Sequence, residues 1–557
     1  MKNISVCCRL LLIAIIFSFG CTTSKKPSLI SVLILSGRNN HEWQKTTPVL
    51  YSMYNKTGIF ITSITERPDT LTYDDYINYD VIVSNWNTWP DNKQRISKEQ
   101  ENAFEKYINE GGGAVFIHAG ASSFYEWEAY HKTGIGRWGD STSHGKPTIG
   151  KIISLNQDHP VTQGINEFFI MDEIWENSDI HSSAQALTSI IATDEEDNHL
   201  IEGPSVFINQ VGKGQSFYTI LGHDERAFFN TGFQTLIKRG TEWAASGDVS
   251  IEIPLELREN QISNEEIYTW NQTDTTIQLL KNMNLVWQYN FRNRFGKTYF
   301  HPIYLNHARI TCESPVDHPW HVGLWFTWKF INNINYWEYM NEYKTEKTGY
   351  KSEGVTELEN ISFKNHPDYS ADIELNIMYH PIGDVSVMKE QRNIHISPPG
   401  KDGSYYINYE HTFNAISEEV VLDRTPILGE PDGKSWGGYG GLSIRFNQDF
   451  TSSELFPFPG EEKYPRGAWL YMGLKSLTGE KVGVCMFQNP DYTTEYTRWY
   501  YQDNSDIPFF WFGPAALYDH KIILKKEEPL TLKYRVMILP GEKKDELEEA
   551  YHHYIYE

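Results

Sequence analysis

Beyond residue 21 the chain has no apolar run approaching the roughly 20 residues that a membrane-spanning helix requires. That excludes a multi-helix membrane protein. Cysteine is scarce: there are five in 557 residues, and Cys7, Cys8 and Cys21 lie at the N-terminus. Cys312 and Cys485 remain in the body, and they either pair or stay as two buried thiols. No CxxC pair, zinc-ribbon spacing or HExxH sequence occurs, so no metal site can be read from spacing. Positive charge is also short, with 49 Lys and Arg against 73 Asp and Glu, a net charge of −24. With no basic run, nucleic acid is not an expected partner; the acidity reads as a solvated surface. No internal repeat of propeller type is present.

What is present is aromatic. Phe, Trp and Tyr make up 14% of the chain, with 17 Trp and 34 Tyr. Such richness is common in β-sandwiches and in sugar-binding proteins. The length implies two or three domains.

The N-terminus reads as a targeting segment. Lys2 and Arg9 form a charged region, and Leu10 to Phe17 an apolar core too short to span a bilayer. Ser18-Phe19-Gly20-Cys21 resembles a bacterial lipobox, with Ser18 where an aliphatic residue is usual. The expectation is a signal peptide over residues 1–21, lipidation of Cys21, and anchoring to a membrane face. No acidic cluster of the surface-export kind follows Cys21, so the anchor is expected on the outer membrane, facing the periplasm.

From 22 to 248 strands and helices alternate. Continuous apolar runs at Ile30 to Leu35, Ile59 to Ile64, Asp80 to Ser84 and Ala114 to Ile117 read as buried parallel strands. Ser97 to Glu110 has helical spacing and stops at Gly111. A later strand covers Gly214 to Leu221 and a closing helix Phe233 to Ala245. The pattern predicts an open, flavodoxin-like α/β sheet, whose function lies beyond the carboxyl ends of its strands. At those ends stand Asn39 and His41, Asn85 and Asn87, His118, and His223 with Asp224. Three histidines therefore fall where one crevice should be, although Asn39 and Asp224 also suit helix caps and loop hydrogen bonds.

The run Gly111 to Ala119 (GGGAVFIHA), Asp158 to Gly164 (DHPVTQG), Asp172-Glu173, Gly212-Lys213-Gly214 and Leu221 to Asp224 (LGHD) resemble the trehalose-utilisation (ThuA-like) family. The resemblance implies a class I glutamine-amidotransferase-like fold and a link to sugar utilisation. In that fold the strand–turn–helix elbow holds a catalytic cysteine. Here the elbow carries His118 and the domain has no cysteine, which excludes cysteine-based amidotransfer. His41, His118, Glu173 and His223 are the candidate site residues, for acid–base work or for a divalent metal.

From 249 to 557 helical periodicity nearly vanishes. Short strand-like runs recur at Leu285 to Tyr289, Val322 to Phe330, Ile373 to Met378, Tyr405 to Tyr409, Leu442 to Phe446, Val482 to Phe487 and Leu530 to Leu539. They predict an all-β sandwich or supersandwich. Only Lys543 to Tyr556 looks helical.

Within this region Asp317-His318-Pro319-Trp320-His321 crowds two histidines and an aspartate around a proline, just before an aromatic strand. Polar groups converging on aromatic walls are what a sugar site needs. The competing reading is a bulge whose histidines are satisfied by backbone carbonyls. Tyr299 to Tyr304 (YFHPIY), Asp317 to Trp325, Trp436 to Leu442 (WGGYGGL) and Phe512-Gly513-Pro514 resemble the domain family labelled methane oxygenase PmoA, also DUF6807. Lacking a membrane span, the chain does not suit methane oxidation.

The expectations for this domain are catalysis by His318, His321, His301 and Asp317, with sugar binding by Trp325, Trp328, Trp436, Arg445 and Arg498. This centre ranks first for chemistry. The whole reads as an exported carbohydrate-active protein, a hydrolase or lyase. A binding lipoprotein and a metal-dependent sugar oxidoreductase are the alternatives. No cofactor is required by the sequence, and a divalent metal is compatible with it.

Overall fold

In the computed structural model, residues 29–556 are described apart from 94, 194–197, 259–265, 294–295, 339–351, 458–462 and 490–495. The signal segment and Cys21 lie outside the described residues.

The first domain is built on one mixed sheet. Strands Phe60–Thr65, Ile30–Leu35, Val81–Ser84, Gly113–Ile117 and Gly214–Thr219 lie side by side and parallel. The apolar runs of Ile30–Leu35, Val81–Ser84 and Gly113–Ile117 are buried on both faces, as crossover helices require. The helix Lys98–Glu110 starts at Ser97 with a capping box to Gln100 and ends at Gly111, whose φ of 121° suits glycine. Beyond Gly214–Thr219 the sheet continues antiparallel through Leu200–Val211, Gln185–Thr193, Thr148–Ser154 and Phe168–Asp172. The sequence reading did not anticipate this extension, and it brings Glu173 to the crevice.

Past residue 248 the chain still packs on the first domain. Val249, Ile251, Ile253 and Leu257 pack on the first core. The Glu242 carboxylate accepts the backbone N–H groups of Ser250 and Ile251.

The second domain is a sandwich of two large sheets. One runs Tyr268–Gln272, Thr276–Lys281, Asn284–Asn290, Tyr299–Leu305, Leu324–Thr327, Gly441–Arg445, Phe509–Ala515, Arg498–Asn504. The other runs Gly354–Asn365, Ala371–Pro381, Met388–Ile396, Tyr405–Ala415, Leu530–Pro540, Lys481–Gln488, Trp469–Ser476, Phe450–Phe456. Alternate residues of both face inward: Trp287, Phe326, Leu442 and Phe512 from the first sheet meet Ile373, Ile407, Val484 and Val536 from the second. The other parity of the first sheet carries a separate aromatic layer of Tyr299, Trp325, Tyr500 and Trp511. The C-terminal helix Leu547–Tyr556 covers the outer face of the second sheet. Cys312 and Cys485 are both free thiols, which removes the disulfide alternative.

The domains are joined by specific polar contacts. Lys56, just past the helix Trp43–Asn55, donates to the carbonyls of Glu313 and Ser314 at 3.0 and 2.7 Å. Asp449 accepts from Thr231 at the start of the helix Thr231–Ser246, and Arg309 donates to the Thr231 hydroxyl at 2.8 Å. Among the described residues no helix is long and apolar enough to cross a membrane.

Candidate functional site

Two clusters emerge, one per domain. In the first, His41 follows the strand Ile30–Leu35, His118 follows Gly113–Ile117, His223 follows Gly214–Thr219, and Glu173 follows Phe168–Asp172. The carboxyl ends of these strands share one edge of the sheet, so the four side chains meet. One donor atom from each lies within 4.8 Å of the others. The ring centroids of His41 are 4.7 Å from those of both His118 and His223.

Each ring is fixed by its neighbours. Asn39 Oδ1 accepts from His41 Nδ1 at 3.1 Å, and Asn87 donates to the same oxygen at 2.8 Å. His118 Nδ1 donates to the carbonyl of Ile220 at 2.5 Å. His118 Nε2 is then left buried with no hydrogen-bond partner. The Asp172 carboxylate accepts the backbone N–H groups of Gly222 and His223 at 2.7 and 3.1 Å, which fixes the His223 loop. His118 itself sits at φ 50°, a backbone conformation that costs a non-glycine residue of order 1–3 kcal/mol. It occupies the elbow at which the sequence resemblance implies a cysteine.

The electrostatics favour neutral rings at His41 and His118 and an ionised Glu173 paired with His223. Burial, then His223, holds His41 down at about 4. Burial and His41 drive His118 well below its ordinary value. Burial opposes ionisation of Glu173, but His223 Nδ1 at 3.2 Å and His144 Nδ1 at 3.1 Å outweigh it and lower its pKa. Burial also opposes charge on His223, and Glu173 reverses that, raising its pKa. Asp172 is pushed up to about 7 by burial. Lone pairs on the neutral imidazoles of His41 and His118, whose Nδ1 atoms are occupied by Asn39 and Ile220, together with His223 and the Glu173 carboxylate, form a donor set for a borderline divalent cation. The orphaned Nε2 of His118 supports that fit. Sequence reasoning found all four residues but missed His144 and the anchoring role of Asp172.

In the second domain the turn Pro315 to His321 is closed by His318 N–H to Pro315 O and His321 N–H to His318 O. Gly323, at φ 76°, lets the chain enter the strand Leu324–Thr327; a Cβ there would lie 2.2 Å from the Phe300 carbonyl. Asp317 Oδ2 accepts from His318 Nδ1 and from Arg445 Nη2, both at 2.9 Å. Burial alone would raise the Asp317 pKa, but Arg445 and His318 hold it at about 2. His321, buried beside His318 and Arg445, is driven well below its ordinary value and is neutral. Asp317, His318 and His321 border a cleft of about 440 Å³ whose walls include Trp320, Trp337, Trp436, Tyr500 and Trp511. A groove of about 600 Å³ near Lys297 and His380 is larger but has no Phe, Tyr or Trp in its lining.

The structure brings together Asp317, His318, His321 and Trp436, but not the whole expected set. His301 lies outside the cleft lining, with Nδ1 2.9 Å from Thr311 Oγ1; burial holds it at about 4. Trp328 is fully buried between the sheets against Phe326 and Phe413, so it is core and cannot bind substrate. Trp325 lies beneath the cleft, 5.0 Å from His321. Arg445 is fully buried, stacked 3.7 Å over Phe509, and positions Asp317. Arg498 binds Asp519 and the Tyr464 carbonyl, which braces a loop. The residues missed were Tyr500, Gln502 and Asn504, and Phe509 and Trp511. Period-two alternation along Arg498–Asn504 and Phe509–Ala515 was the signal that groups them.

Residues 31–244 match the trehalose utilisation family (ThuA), and residues 276–552 match a family of unknown function (DUF6807). The chain is similar in structure to a ThuA-like protein from Parabacteroides merdae: 25% identity, 42% of this chain and 96% of that chain, TM-score 0.37. A ThuA-like protein from Bacteroides uniformis gives 21% identity, 42% and 97% coverage, and a TM-score of 0.32. A glutamine amidotransferase from Thermotoga maritima gives 10% identity, 35% and 75% coverage, and a TM-score of 0.23. The comparison with curated proteins returned no match.

Proposed function

We propose that this chain, a ThuA domain joined to a DUF6807 domain, is an exported carbohydrate-active enzyme, a metal-dependent hydrolase or lyase. Its reacting centre is His41, His118, Glu173 and His223. The observation that carries the reading is the convergence of four donor atoms within 4.8 Å around a buried, unpartnered His118 Nε2. A divalent cation bound there supplies Lewis acidity to a sugar oxygen or to water. Asn39 and Ile220 hold His41 and His118 with one nitrogen each turned inward. His144, half-exposed beside Glu173, offers a proton route to solvent.

Carbohydrate as the substrate class rests on the name of the first domain's family, trehalose utilisation. Export and anchoring through Cys21 rest on the N-terminal segment alone. The net charge of −24 gives no reason to expect nucleic acid.

The test is elemental analysis of protein purified without a metal-binding tag, with sugar release from a glycan panel measured before and after chelation. The expected result is about one divalent ion per chain, lost together with activity in His118→Ala and in His223→Ala. Full activity in metal-free protein removes the reading.

A further inference from the structure

The cleft of the DUF6807 domain has its own ligand chemistry. We propose that it is a second, independent carbohydrate site, built to bind a neutral saccharide. It is distinct from the cluster of the first domain and does not depend on a metal there.

Its size falls within the roughly 300–1,000 Å³ of small-molecule sites. Its walls are flat aromatic faces, which match the C–H faces of a sugar ring. Trp436 stands at the rim, 45% exposed, with its ring 6.4 Å from that of Tyr439. Trp337, Tyr439 and Trp511 form the deeper wall, with ring centroids 5.0 to 6.3 Å apart.

The polar atoms of this cleft are unfinished. His321 Nδ1, Glu338 Oε2 and Trp511 Nε1 are buried, and none has a hydrogen-bond partner in the protein. A buried polar group left unpaired is costly, so each is poised to take a ligand hydrogen bond. His318 also lines the cleft, and with Nδ1 given to Asp317 its Nε2 is the remaining hydrogen-bonding atom. Gln502 and Asn504 add amides that both donate and accept. A mixture of donors and acceptors beside aromatic faces suits hydroxyl groups, which do both.

Charge decides which sugar. Among the described residues the lining holds no lysine or arginine. Its two carboxylates are already matched: Asp317 by Arg445 at 2.9 Å and Glu338 by Lys329 at 2.5 Å. An anionic ligand such as a uronate would meet two carboxylates and no free cation, so the site selects against it. The cleft is also pre-organised. Lys297, buried beneath it, donates to the carbonyls of Trp320 and Trp337 at 3.0 and 2.6 Å and so ties two of its walls.

The experiment is calorimetric titration of the full chain with glucose, galactose, mannose, cellobiose, maltose, trehalose and glucuronate. It is repeated on Trp436→Ala, Trp511→Phe and His118→Ala, and in chelator. The expected result is saturable binding of at least one neutral sugar. Affinity falls about tenfold, ~1.4 kcal/mol, in Trp436→Ala, and is unchanged in His118→Ala and in chelator. The rim position of Trp436 keeps that variant folded, and Trp511→Phe retains an aromatic face while removing the N–H. The proposal is overturned if no neutral sugar binds, if glucuronate binds as tightly as the best of them, or if binding survives Trp436→Ala and is lost in His118→Ala. Loss of metal or of activity in His118→Ala reports only on the first domain, so the two readings fail separately.

Discussion

Arg445 Nη2 lies 2.9 Å from Asp317 Oδ2, although 128 residues separate the two. Arg445 is fully buried in the strand Gly441–Arg445, with Nε and Nη1 unpartnered, while Asp317 is on a turn at the cleft mouth. The guanidinium has one carboxylate to answer its charge there. Replacing Asp317 by Asn leaves that charge buried and uncompensated, a loss of about 3–5 kcal/mol. Urea unfolding of Asp317→Asn should show it as a lower midpoint. A midpoint equal to that of the parent chain would mean that the pair is not holding the cleft together.

Asn39 touches the first-domain cluster only through His41. Asn39→Ala should therefore retain the ligand set yet weaken divalent-metal affinity by about 10–100-fold, the usual effect of losing a partner that orients a ligand. Competitive metal titration reads this directly. Unaltered affinity would show that the His41 ring is held by packing instead.

Lys297 is a buried amine whose burial pulls its pKa down to about 7, with Glu338 opposing the fall. Lys297→Met keeps the volume but leaves the carbonyls of Trp320 and Trp337 without their donor. A destabilisation of about 1–3 kcal/mol is expected, with a shift in tryptophan emission as the cleft walls relax. Thermal unfolding and fluorescence together check it, and a variant with unchanged Tm and emission contradicts the positioning role.

Between the two sheets, Glu390 binds Arg392 Nε at 2.6 Å and His411 Nδ1 at 2.7 Å, and all three are buried. Burial alone would raise the Glu390 pKa, but Arg392 and His411 hold it at about 2 against an ordinary 4.5. A depressed carboxylate stabilises the fold fully above its unfolded pKa, and this is lost as pH falls from 4.5 toward 2. Burial holds His411 at about 4 against 6.5, so its neutral form adds a further loss as pH falls from 6.5 to 4. Glu390→Gln should cost about 3–5 kcal/mol at neutral pH and flatten the acid limb between 4.5 and 2. Parallel stability profiles for the two proteins across that window would count against the assignment.

The parallel strands Ile30–Leu35, Val81–Ser84 and Gly113–Ile117 were legible because both faces are buried and their sequences are nearly continuous apolar runs. The antiparallel extension was not: Gln185–Thr193 and Leu200–Val211 mix polar and apolar residues without a clear period. In the second domain the strand expected over 322–330 is regular only over Leu324–Thr327. Trp325 and Trp328 are three residues apart, so a strand of period two sends them to opposite faces. One lies under the cleft and the other in the core, and reading both as sugar-binding overlooked that parity.

By itself the sequence determined that His41, His118 and His223 share one edge of a sheet, because successive parallel strands bring their carboxyl ends together. It also determined that Asp317, His318 and His321 stand on a turn before an aromatic strand. Only the tertiary structure decided how Glu173, already a candidate, is carried to the first cluster by the antiparallel extension, that Arg445 answers Asp317, and which aromatic parity faces the cleft. Those outcomes depend on strand order and register between segments far apart in the chain, and local composition does not encode which strands pair.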